Sequence, residues 1–276
     1  MGRSFLDRYD QGTSLVHYLD PRLKLLATLA FVLVVATTHP GNWPAFALLV
    51  ALAIGALLVA RVSLVEGLKR SAVALPFAGM VAISLPFTQA GTVIWSWQPF
   101  GFAQGGLVDL TLTITDAGLV LFATVVVKAW LSVMASGLLV ATTPFSDLLK
   151  AMRTLRVPTV LTATISFMYR YLFILVDEAM RLQTARAARS VGSGRTVLWR
   201  AQVLGRMIGS LFIRSYERSE RIYAAMLARG FAGEVRTLTH LTWEARDTWA
   251  GLVWVAALAA IVAVGHVMLR HAAWGF

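Results

Sequence analysis

Leu23-Lys24-Leu25-Leu26-Ala27-Thr28-Leu29-Ala30-Phe31-Val32-Leu33-Val34-Val35-Ala36-Thr37-Thr38 decides the class of this protein. The stretch is almost entirely apolar and is opened by Asp20-Pro21, the pairing of a helix N-cap with a proline in the first turn. It closes on His39-Pro40-Gly41-Asn42, a turn by composition. A run of this length and hydropathy predicts a helix that crosses a bilayer. The residues before it carry both charge signs, including Asp7, Asp10 and Asp20. The run is therefore expected to be a retained spanning helix, not a cleaved leader.

Four more runs follow. Trp43 to Ala60 is opened by an interfacial tryptophan. Ser71 to Phe87 is interrupted by Pro76 and Pro86, which predict kinks. Ala117 to Ala141 carries Lys128 near its middle, and Trp249 to Leu269 is followed by Arg270, His271 and Trp274. Only 14% of the 276 residues are charged, against 58% hydrophobic. A soluble domain holds roughly 25% charged residues. There is no cysteine, which excludes disulfides, thiolate metal sites and a cysteine nucleophile.

The net charge of +11 is informative through its distribution. Arg3, Arg8, Arg22 and Lys24 precede or open the first run, and Arg61, Lys69 and Arg70 join the second to the third. The connections from first to second and from third to fourth carry no Lys or Arg. Residues 142–247 hold 16 of the 25 basic residues, against 8 acids. All basic connections fall on one side, so the N-terminus is expected in the cytoplasm and the C-terminus outside. The expected architecture is an all-α integral membrane protein with about five transmembrane helices plus long cytoplasmic coupling helices. Residues 1–141 form a membrane domain with four transmembrane helices, 142–247 a cytoplasmic coupling-helix domain, and 248–276 a C-terminal transmembrane helix. Thr88 to Asp116, rich in Gly and Trp, is expected outside the membrane with a short amphipathic helix near Leu107 to Leu112.

Within 142–247, Thr143-Pro144 reads as cap and first helical residue, and Pro158 ends that helix near Arg156. The next helix is expected to run to about Val191, where Gly192-Ser193-Gly194 breaks it, and a third from Thr196 to Arg229, with Gly230 as its cap. Val160 to Val176 is too apolar to face water and is expected to pack against a membrane partner, Ile165, Phe167, Met168, Tyr169, Tyr171 and Phe173 being the candidate contacts. The same helix ends basic. Both long helices finish on a small-Arg-small triplet, Ala188-Arg189-Ser190 and Ala228-Arg229-Gly230. In each, alanines lie one and four residues before the arginine, which places two methyl groups and a guanidinium on one face. Such a tip suits a groove on an acidic partner; a lone arginine there otherwise complements the helix dipole.

Other chemistry is sparse. The five histidines, His17, His39, His240, His266 and His271, show no ligand spacing, so no metal site is expected. No phosphate-cradling or hydrolase motif is present. Lys128 is read as facing protein and paired with a carboxylate or backbone carbonyls, because one lysine makes no relay. Asp109 and Asp116 are read as helix caps. Glu66 with Arg70, Asp177 and Glu178 with Arg181, and Glu217 with Arg221 are read as pairs on a helix surface. A nucleophile pair of Ser132 or Ser136 with His266 is the alternative enzyme reading, and no spanning run carries the set of charges a channel needs.

The order of Thr142-Thr143-Pro144-Phe145-Ser146-Asp147-Leu148-Leu149, Leu155-Arg156-Val157-Pro158, Phe167-Met168-Tyr169-Arg170-Tyr171, Asp177-Glu178-Ala179-Met180-Arg181, Ala188-Arg189-Ser190, Arg214-Ser215-Tyr216-Glu217-Arg218 and Ala225-Met226-Leu227-Ala228-Arg229-Gly230-Phe231 resembles the transmembrane T component of energy-coupling factor (ECF) transporters. The likeness is greatest to the CbiQ branch of cobalt and nickel uptake, and Leu19-Asp20-Pro21-Arg22-Leu23-Lys24 fits it too. The resemblance implies a non-catalytic subunit in the cell (inner) membrane that carries ATPase motion to a substrate-binding membrane S component. It implies two ABC ATPase subunits, or an ATPase homodimer, as partners, with a small accessory membrane subunit besides. It assigns the two arginine triplets to the ATPases, Ser190 standing where glycine is common. ATP and Mg then belong to the ATPases, and this chain holds no cofactor. The lipid bilayer, and no nucleic acid, completes the partners. The substrate is open between cobalt or nickel and a vitamin such as biotin.

Overall fold

The computed structural model describes residues 14, 16–61, 64–97, 112–189, 196–233 and 242–273. The chain divides into two compact units, Met1–Leu148 with Leu241–Phe276, and Leu149–His240.

The first unit begins as its sequence dictates. Helix α1 (Pro21–Thr37) is capped by the Asp20 carboxylate, which accepts the Arg22 N–H at 2.8 Å. The turn after α1 puts Gly41 at φ 80°, where a side chain would be strained. Helix α2 (Trp43–Val59) follows. Asn42 does not cap it; its amide donates instead to the Gly265 carbonyl at 3.1 Å.

The third apolar run is broken where kinks were expected. It forms α3 (Leu64–Ala72), α4 (Ala74–Ala82) and α5 (Leu85–Thr88). Helix α3 ends four residues before Pro76 and α4 ends four residues before Pro86. Proline has no N–H for the carbonyl four residues back, and its ring presses on that carbonyl. Each proline therefore cuts the helix one turn upstream of itself. The side chains of Glu66 and Arg70, the expected pair on α3, lie outside the described residues.

Strands β1 (Val93–Trp97) and β2 (Leu112–Thr115) then pair antiparallel, with an irregularity between Val93 and Trp95. This corrects the expectation of a loop for residues 93–97 and 112–115; of the amphipathic helix expected near Leu107 to Leu112, only the last residue is described. Leu112 opens a strand, and Leu107 to Thr111 lie outside the described residues, as does Asp109. Val-Ile-Trp and Thr-Ile-Thr are β-formers, and they prevail over the glycine-rich surroundings.

Helix α6 (Asp116–Thr142) is capped by the Thr115 hydroxyl, which accepts the Gly118 N–H at 3.3 Å; Asp116 is the first helical residue, not the cap. Helices α1, α3, α4 and α5 all pack along α6, while α10 (Ala245–Ala273) packs on α1 and α2. The core is apolar and drawn from α1, α2, α6 and α10, with Phe31, Val35, Leu49, Leu57 and Leu131 at its centre. Lys128 donates to the Ala36 carbonyl at 2.9 Å, the backbone pairing expected of a lone intramembrane lysine.

Helix α7 (Phe145–Thr154) runs from the first unit into the second. Its N-cap is Pro144, whose carbonyl accepts from Asp147 and Leu148, and not Thr143, whose hydroxyl has no partner among the described residues. Arg156 turns the chain at φ 65°. Pro158 then caps α8 (Thr159–Arg189) by accepting from Leu161 and Thr162. Gly192 to Gly194 lie outside the described residues, and α9 (Val197–Ala228) follows.

Among the described residues four stretches are long and apolar enough to cross a membrane: Gly67–Thr88, Asp116–Thr142, Thr159–Arg189 and Ala245–Met268. Trp43–Val59 is a shorter apolar helix. Helix α1, also 17 residues, spans about 26 Å at 1.5 Å per residue, the short end of the range. Helix α8, expected in the cytoplasmic coupling segment, also meets this measure of length and hydropathy.

Candidate coupling site

The second unit is a long helix pair, and its contacts define its direction. Arg186 near the end of α8 lies over the Trp199 ring near the start of α9, 5.6 Å from its centroid. Midway, Arg214 donates to Glu178 at 2.9 Å. Near the start of α8, Phe167 meets Phe231, just past the end of α9, edge-on at 6.4 Å. As residue numbers fall on α8 they rise on α9, so the helices run antiparallel. Glu178 thus finds its cation on the neighbouring helix and not at Arg181 one turn away. The seam holds two apolar gaps. One of about 320 Å³ lies among Phe167, Tyr171, Ile174, Ile222 and Met226, with Arg218 at its wall. The other, about 230 Å³, lies among Val176, Met180, Leu204 and Ile208.

This register separates the two arginine triplets. Arg189 ends α8 beside the start of α9. Arg229 ends α9 beside Phe167. They stand about 33 Å apart along the axis, taking about 1.5 Å per residue between Phe167 and Arg189. Ala185, Ala188, Ala225, Ala228 and both arginines are exposed. Among the described residues neither guanidinium has a hydrogen bond or an ion pair. Ser190 lies outside the described residues.

The Arg229 end is closed by a full C-cap. Gly230 takes φ 78°, its N–H donates to the Leu227 carbonyl at 3.0 Å, and the Phe231 N–H donates to the Met226 carbonyl at 3.0 Å. This is the paired-bond Schellman arrangement, with Phe231 as the apolar residue that accompanies it. Phe231 closes the last of the motifs quoted from the sequence, but no role in the cap was read for it there.

The apolar candidates on α8 do not share one face. Phe167 and Tyr171 line the seam with α9. Tyr169 and Phe173 stack edge-on with each other at 5.0 Å. Met168, at 61% exposure, forms an outward stripe with Leu161, half-buried Ile165 and Leu172, spaced to repeat on one helix face. Ser132 and Ser136 each donate to the carbonyl one turn back, Lys128 and Ser132 respectively, and neither is hydrogen-bonded to His266. Among the described residues no group of three His, Asp or Glu is gathered.

Comparison with known proteins adds the relationship. The family model described as CbiQ, cobalt transport protein, matches residues 12–241. The chain is 30% identical over 256 residues to the energy-coupling factor transporter transmembrane protein EcfT of Bacillus subtilis, covering 90% of this chain and 93% of that protein. It is 28% identical over 285 residues to the EcfT of Lacticaseibacillus paracasei, covering 99% and 100%. To EcfT 1 of Listeria monocytogenes it is 28% identical over 278 residues, covering 96% and 97%.

Proposed function

The chain belongs to the CbiQ family and is a membrane-embedded T component of an ECF transporter, and from that premise we propose that it carries the motion of two ATPase subunits to a substrate-binding S component. The observation that carries this reading is the pair of exposed Ala-x-x-Ala-Arg ends set at opposite ends of α8 and α9. Two ATPase subunits in a twofold dimer present two equivalent grooves, and one helix pair with two like tips suits them. A guanidinium without an internal partner is free to pair with an acid on another protein. The outward stripe of Leu161, Ile165, Met168 and Leu172 is the surface offered to the S component.

In this reading the chain itself catalyses nothing and holds no cofactor; ATP and Mg are bound and ATP is hydrolysed on the ATPases. The charge distribution favours a cytoplasmic N-terminus in a multi-pass inner-membrane protein. The substrate is a cobalt or nickel ion, supported by the description of the family. A vitamin such as biotin is the second reading, since the names of the EcfT relatives specify no metal.

The test is co-expression with candidate ATPase and S-component genes from the same genome. Wild type is expected to retain the ATPases on purification and to drive ATP-dependent uptake of labelled cobalt. The double variant Arg189→Glu, Arg229→Glu is expected to reach the membrane but lose the ATPases. Undiminished copurification refutes the reading, and uptake of labelled biotin in place of cobalt selects the second substrate.

A further inference from the structure

The second unit is joined to the first at two places, after α7 has begun and just before α10. Near each of them, within the first unit, buried polar groups tie the chain to the first turn of α1. Lys24, only 8% exposed, donates from Nζ to the Thr142 carbonyl at 3.2 Å and to the His17 carbonyl at 3.1 Å. Thr142 is the last residue of α6, where helix carbonyls lack intrahelical partners and a cation is favoured. At the other junction Asp247, 1% exposed, accepts the Asp20 N–H on Oδ1 at 3.0 Å and the Glu244 N–H on Oδ2 at 2.9 Å. One carboxylate thus holds the N-terminus of α10 against the cap of α1. The carboxylates of Asp147, Asp20 and Asp247 all act on the Lys24 ammonium and offset part of the cost of burying it.

A buried lysine and a buried aspartate are costly in a membrane protein unless both are fully engaged. Here each spends its bonds on backbone groups at a junction. Apolar packing would stabilise helix ends without such directional bonds. What the polar groups add is a defined position for two strands of chain that leave and re-enter the unit.

We propose that the Asp20–Lys24 turn is the fixed point of coupling, with Lys24 and Asp247 as positioning residues. They hold both junctions of the 149–240 segment to α1, so that movement imposed on Arg189 and Arg229 reaches the membrane unit instead of being absorbed in loose connections. This rests on the coupling reading above.

The experiment uses the whole complex reconstituted in liposomes and compares ATPase copurification, ATP hydrolysis and substrate accumulated per ATP. For Lys24→Met and for Asp247→Ala, copurification and hydrolysis stay at wild-type levels while accumulation per ATP falls about tenfold, the effect of losing a buried charge-assisted bond. Lys24→Arg, which keeps the donors, restores most of the ratio. The chain has no cysteine, so spin labels at Leu29→Cys and Thr154→Cys report the junction directly. Their distance distribution broadens in Lys24→Met. If a variant does not reach the membrane, Lys24→Gln or Asp247→Asn takes its place in the same measurements. Unchanged accumulation per ATP with an unchanged distance distribution overturns the anchor alone. Equal loss of copurification, hydrolysis and uptake also overturns it, by reducing both residues to general stability. A wild-type complex that fails to copurify overturns the coupling reading itself.

Discussion

Gly230→Val isolates the geometry of one arginine tip from its chemistry. Gly230 sits at φ 78°, and a Cβ built there meets nothing within 4 Å. The penalty is therefore backbone strain alone. An L-residue in the left-handed region costs about 1–2 kcal/mol, and a β-branched one lies at the upper end. The chain accepts that strain or releases it by giving up the Gly230–Leu227 and Phe231–Met226 bonds, which are worth about 1 kcal/mol each. Either route destabilises the cap that sets the direction of Arg229 by about 1.5 kcal/mol, so ATPase affinity should fall about tenfold. Gly233 provides the control, with φ 86° and equally empty surroundings. It bears the same strain three residues beyond the cap, and Gly233→Val should leave affinity unchanged. Gly230→Asn should lie between, because Asn tolerates this conformation. The assay is titration of detergent-solubilised variants with purified ATPases. Wild-type affinity for Gly230→Val, or an equal loss at Gly233, refutes the claim that this cap aims Arg229.

Two further outcomes are expected. Gly118→Ala should lower the thermal midpoint in detergent by several degrees, since the new Cβ would lie 2.6 Å from Pro86 Cα and 2.7 Å from the Leu85 carbonyl oxygen, and overpacking against backbone costs about 1–3 kcal/mol; an unchanged midpoint contradicts the close approach of α5 to α6. Lys128→Met should leave ATP-dependent uptake intact, because among the described residues the ammonium serves only the Ala36 carbonyl, and an apolar residue removes both the charge and its burial cost; loss of uptake with normal membrane insertion would make Lys128 part of the transport path.

Features encoded in a few adjacent residues were legible in the chain. Asp20-Pro21 starts a helix, Pro158 divides two, and Gly230 ends one, because each acts through its own backbone. The two triplets were visible for the same reason. Their placement at opposite ends of one antiparallel pair was not, since it depends on Phe167 meeting Phe231 and on Glu178 meeting Arg214. Glu178 had an acceptable partner one turn away at Arg181, and helix spacing cannot choose between a near partner and one on another helix. Asp247 drew no notice because burial, not identity, sets it apart from other aspartates. The strands β1 and β2 were hidden by a glycine-rich context in which short β-prone segments carry little weight.

On the coupling proposed above, the antiparallel seam between α8 and α9 would constrain what two ATPases docked at its ends could do. An α-helix hardly shortens along its axis, so motors approaching each other cannot be accommodated by compressing the pair. On that reading their travel would appear as a scissoring of one helix across the other. The seam's two apolar gaps leave side chains room to slide, where a close-packed interior would resist. The contacts at Phe167–Phe231, Glu178–Arg214 and Arg186–Trp199 pin the pair at three heights. The middle one is an ion pair that can swivel without parting, and a hinge at that height would turn opposed pushes at the two ends into a sideways sweep of the apolar stripe.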